Sequence, residues 1–107
     1  MLVKVVSQQA TITFGRIVPV WNIFASRLGS EIWTVGADDG NANHPLYLSE
    51  VEVISGDLTD FRFFILPGTD MAGLAHRILV DDIELYKAFM EWDRMAYAEF
   101  HRRLAAK

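Results

Sequence analysis

The chain has no cysteine among its 107 residues. That excludes disulfide staples, thiolate metal sites and a cysteine nucleophile, and nothing demands an oxidising compartment. Long apolar runs are also missing. The longest, such as Ile17 to Trp21 and Phe63 to Pro67, extend about five residues, against the roughly 18 needed to cross a bilayer. No membrane partner is expected. The opening stretch, Met1 to Gln9, lacks the apolar centre of a signal peptide, so a cytoplasmic location is expected.

Basic residues are absent from Leu28 to Phe61, whereas Glu31, Asp38, Asp39, Glu50, Glu52, Asp57 and Asp60 all fall there. This zone carries −7, the stretch before it carries +3, and the remainder is balanced, which gives the net charge of −4. A field of this kind repels a phosphate backbone and attracts a basic surface over the roughly 10 Å that salt allows. Direct nucleic-acid binding is therefore disfavoured. If Asp38, Asp39, Glu50, Glu52, Asp57 and Asp60 form one patch, they can bind the basic surface of a partner protein, as nucleic-acid-mimicking inhibitors of the mobile-element type do.

What is present suits one α+β domain over residues 1–107, since half the residues are apolar and the length supplies one core. Leu2 to Val6 and Thr11 to Phe14 are rich in β-branched or aromatic residues and read as strand. Pro19 can open a short helix that runs to Leu28 with Gly29 as its stop. Ile32 to Val35, Leu46 to Ser55 and Phe61 to Leu66 read as further strands, the last two joined as an antiparallel hairpin through Ser55-Gly56-Asp57. The expected fold is thus a small, mostly antiparallel sheet of 3–5 strands with a short N-terminal helix and two C-terminal helices, the last one long.

The first C-terminal helix rests on a stripe of Met71, Leu74, Ala75, Ile78 and Leu79. The second starts from Asp81, which can cap with Glu84 three positions on while Val80 staples to Leu85, and it runs to about Ala105. Some 24 residues at 1.5 Å each make a rod of about 36 Å, longer than the roughly 34 Å diameter expected for a chain this size. Tyr86, Phe89, Met90, Trp92, Tyr97 and Phe100 lie in an apolar arc of roughly 180° along it. Part of this arc is expected to pack on a second copy, giving a homodimer.

Asp93 falls inside the same arc, where a carboxylate must be paired or neutral. With His76 it marks a possible pocket between sheet and helices, which Tyr86 and Tyr97 would also line; a small-molecule site or a small enzyme is the alternative to the protein-binding regulator. The loop from Asp39 to Glu50 resembles an EF-hand calcium loop over twelve residues, with oxygen ligands at positions 1, 3, 5 and 12. The resemblance fails at position 6, where His44 replaces the required glycine, and in its strand-like flanks. No metal, cofactor or catalytic residue is expected: no histidine has a partner at metal-binding spacing, and the glycines form neither a P-loop nor a dinucleotide fingerprint.

Overall fold

The computed structural model describes residues 1–26 and 33–106. Seven strands and three helices follow in the order β1 (Leu2–Val5), β2 (Ile17–Ser26), β3 (Thr34–Asp38), β4 (Asn43–Tyr47), β5 (Val51–Ser55), β6 (Phe61–Ile65), β7 (Met71–His76), α1 (Arg77–Val80), α2 (Ile83–Met90) and α3 (Arg94–Ala105), with a single 3-10 turn at Leu48–Glu50 before β5. Every pairing is antiparallel. The order β4-β3-β2-β1-β5 forms one path, and β7 adds to β2 and carries β6. β2 is the hub. Its first residues pair with β1, and its later residues pair with β3 and β7.

This overturns the small sheet with an N-terminal helix. The segment after Pro19 is strand β2, because Ile17, Val18, Val20 and Ile23 are β-branched and β1, β3 and β7 all pair with it. Trp21 and Phe24, three residues apart, share a face that a regular strand would not give them. The β2–β3 register shifts between Val20 and Asn22, and such a bulge turns neighbouring side chains to one side of the sheet. Val20 packs in one core, while Trp21 and Phe24 pack against the other. The expected end of that helix, Leu28 with its Gly29 stop, lies outside the described residues, as does Ile32.

Other expectations change as well. Thr11 to Phe14 is turn and bend, and the stretch from Leu46 to Ser55 is divided between β4, the 3-10 turn and β5. β5 and β6 do not form a hairpin, since β5 pairs with β1 and β6 with β7. The expected first C-terminal helix is mostly strand β7, with only Arg77–Val80 helical. Gly73 explains part of this: a Cβ there would lie 2.0 Å from the Ile23 carbonyl oxygen and 2.8 Å from the Phe24 Cα. Only a residue without a side chain lets β7 approach β2 so closely.

The long rod is two helices. α2 begins at the Asp82 cap, which accepts from the Leu85 amide at 3.1 Å, one residue after the expected Asp81. It ends at Met90, with Glu91 as its C-terminal cap, because Trp92 has a φ of 62°. Asp82 also meets Arg103 at 3.0 Å, and Arg103 in turn meets Glu99 at 3.1 Å, so α3 is clasped back onto the start of α2. Glu99 is pulled down to about 2 by its hydrogen bonds with Arg102 and Arg103.

Two cores result. Val3, Val5, Ile12, Val18, Val20, Val35, Ala37 and Leu46 fill one, and the helices close the other over Phe64, Leu66, Ala75 and Leu79. Tyr86, Phe89 and Phe100, three rings of the expected dimer stripe, lie wholly inside the second core. Phe100 meets Phe89 and Trp21 with ring centroids 5.1 and 5.3 Å apart. Among the described residues no helix is long and apolar enough to cross a membrane.

Candidate functional site

The β2 bulge and the β3–β4 turn bring Trp21 and Asp38 to the helix side of the sheet. Asp38 ends β3 two residues after Gly36, and only 2% of it is exposed. Four donors converge on its carboxyl group. Oδ1 accepts from the Gly40 amide at 2.8 Å and from the Tyr97 hydroxyl at 2.7 Å. Oδ2 accepts from the Trp21 indole N–H at 2.8 Å and bonds His101 Nε2 at 2.7 Å. With both oxygens accepting, His101 donates. This knot ties β2, β3 and α3 together through one side chain. Burial first, and the neighbouring Asp38 second, hold the Tyr97 hydroxyl well above the ordinary tyrosine range, so it stays a donor.

Asp39 sets the turn that follows. Its Oδ1 accepts from the amides of Asn41 and Ala42, each at 2.8 Å, and its Oδ2 lies 2.8 Å from His44 Nε2. Burial opposes the charged form, but these bonds outweigh it and hold the carboxyl below its usual range. The twelve residues from Asp39 to Glu50 are therefore a hairpin turn, a strand and a 3-10 turn. Among the described residues no group of three or more His, Asp or Glu side chains could hold a metal ion.

Facing this turn is the corner between α2 and α3. The Asp93 amide bonds the Ala88 carbonyl at 3.1 Å and the Trp92 amide bonds the Phe89 carbonyl at 3.4 Å, the paired bonds of a Schellman helix end. The left-handed position in that motif normally holds glycine, because a Cβ there costs roughly 1–2 kcal/mol. Here it holds Trp92, the chain's one non-glycine residue with positive φ among those described, and 64% of that residue is exposed. Asp93 then caps α3, accepting from the amides of Met95 at 2.8 Å and Ala96 at 3.3 Å. Trp92→Gly is expected to be more stable than Trp92→Ala by about 1 kcal/mol, because only glycine relieves the left-handed backbone. Chemical denaturation of the two variants measures the difference.

Between turn and corner lies an open cleft of about 740 Å³, lined by Asn41, Ala42, Asn43, His44, Phe89, Trp92, Arg94 and Tyr97. A size of this order suits a small organic molecule. Phe89 and Tyr97 stack with rings 7° from parallel. Asn43 is 5% exposed and its Oδ1 has no donor among the described residues. The same is true of Asn22 Oδ1, whose amide N–H donates instead to the Tyr86 hydroxyl at 2.9 Å. Both oxygens crowd Gly36, where a Cβ would sit 1.8 Å from that of Asn22 and 2.8 Å from that of Asn43.

The residues expected to act together are dispersed. Asp38 and Asp39 serve the knot and the turn. Glu50 accepts from the Tyr47 amide at 2.9 Å, and Glu52 is exposed on β5 opposite Lys4 of β1. Asp57 and Asp60 lie in the β5–β6 connection, Asp60 beside Arg77 at 3.6 Å. Of the expected dimer stripe, Met90 and Tyr97 are half-buried, and Trp92 alone is largely exposed. Asp93 is an exposed helix cap rather than a buried carboxylate. His76 is buried, accepts from the Ile78 amide at 3.2 Å and packs edge-on to Trp21. Neither Asp93 nor His76 lines the cleft.

Sequence reasoning missed the roles of Trp21, Asn43, Arg94 and His101. One signal was present: in Thr34 to Asp38, Asp38 shares a face with Gly36, two residues before it. Comparison with known proteins gives no match to a family model, a curated protein or a solved structure.

Proposed function

We propose that this chain is a small-molecule-binding domain whose ligand occupies the cleft between the β3–β4 turn and the α2–α3 corner. The observation that carries this reading is Trp92. A large, solvent-facing ring occupies a backbone position where glycine costs least, and strain of this kind concentrates at ligand sites. The wall behind it is rigid, since Asp38 fixes Tyr97 and Asp39 fixes the turn. Rigid walls reduce the ordering cost of binding.

A fragment library screened by two-dimensional amide NMR tests the proposal. Hits are expected to shift the resonances of Asn41, His44, Trp92, Arg94 and Tyr97 together. Shifts confined to β1 and β5 would place binding elsewhere.

A second reading, a homodimeric protein-binding module acting on a basic partner, draws on other features. Phe63 and Ile65 are exposed on β6, which among the described residues pairs only with β7, and an open apolar strand of this kind invites another chain. Glu52 and Asp57 remain exposed for a basic surface.

A further inference from the structure

Resting on the ligand-cleft reading, we infer that the molecule bound there is a planar aromatic anion, its ring against Trp92 and its carboxylate or phosphate on Arg94. The lining contains no carboxylate in a chain whose net charge is −4. Its two basic residues differ in what they already do. His44 is held by Asp39 at 2.8 Å, whereas Arg94 makes no hydrogen bond or ion pair among the described residues. A guanidinium left without a partner offers a two-pronged match to a carboxylate or phosphate.

The carboxylates behind the wall do not compete for that guanidinium. Asp38 is filled by its four donors, and Asp39 is filled by two amides and His44. Trp92 is the only lining ring that is largely exposed, since Phe89 is buried and Tyr97 half-buried. Its face is therefore the surface open to a flat ring. Trp92 and Arg94 are two residues apart, so ring and charge are recognised side by side.

Isothermal titration with four probes tests this: indole-3-acetate and AMP as aromatic anions with different acidic groups, adenosine as a neutral aromatic, and inorganic phosphate as a bare anion. At least one aromatic anion is expected to bind tenfold or more tightly than adenosine and phosphate, and whichever binds better tells a carboxylate ligand from a phosphate one. Arg94→Gln should abolish that advantage, weakening the aromatic anion to about the affinity of adenosine. Binding of both aromatic anions no tighter than that of adenosine, or an Arg94→Gln variant that binds the anion as before, would overturn the inference while leaving a ligand cleft in place. Failure of both aromatic anions to bind also overturns it. The fragment screen then decides separately whether the cleft takes any ligand.

Discussion

Asp38→Ala is expected to lower the unfolding free energy by about 3–5 kcal/mol, the cost of removing one partner from a buried charged network. Total stability for a domain of this size is on the order of 5–15 kcal/mol, so this one change removes a large share. The loss comes less from missing attraction than from what remains. Trp21 N–H, the Tyr97 hydroxyl and His101 Nε2, all partly buried, would each lose the acceptor that Asp38 supplies. Asp38→Asn should fall between the two, since an amide keeps one accepting oxygen and turns its nitrogen toward donors. Urea denaturation of the three proteins gives the ordering. A loss below about 1 kcal/mol for the alanine variant would mean that the knot is solvated and does not anchor α3.

Gly73→Ala is the second large effect, expected at about 3 kcal/mol, the upper end of what overpacking costs. Its cause is steric and lies in the main chain. The added methyl would meet the Ile23 carbonyl oxygen and the Phe24 Cα, and a backbone held in a ladder cannot rotate away as a side chain does. Because, among the described residues, β7 alone joins β6 to the rest of the sheet, forcing β7 from β2 loosens both strands. Hydrogen exchange should show the amides of β6 and β7 losing protection before those of β1. Uniform protection with unchanged stability would contradict the tight contact.

How much of this was legible in the sequence depended on whether local pattern and tertiary placement agreed. β1 and β6 were visible because β-branched and aromatic residues cluster there, and the start of α2 was visible to within a residue from its capping acid. β2 was misread because its bulge breaks the alternation that identifies a strand. β7 was misread because Met71, Leu74, Ala75 and Ile78 have helical spacing, while the contact that makes Gly73 necessary is with a distant strand. The break at Trp92 was hidden because a left-handed helix end is usually marked by glycine. Asp93 held the missed clue. An acid inside an apolar arc can be a buried carboxylate, but it can equally be the cap that starts a new helix, and the same spacing serves both.

The same break decided what could be read of the site. A continuous rod would have presented its rings to a second chain. Two helices folded at a corner instead bury Tyr86, Phe89 and Phe100 in the chain's own core and expose Trp92 beside Arg94. Of the residues expected to line a pocket between sheet and helices, Tyr97 lines the cleft at the α2–α3 corner, and His76 lines a smaller hollow with Trp21, Phe61 and Leu104.

The most direct measurement is the dissociation constant of the strongest fragment hit for the natural chain and for Trp92→Ala. If Trp92 is the platform of the site, losing its ring should weaken binding by about 1–3 kcal/mol, the range found for stacking on an aromatic side chain, or roughly five- to 150-fold. Equal affinity for the two proteins, with both folded, would show that the exposed ring holds no ligand and that the cleft is not the site.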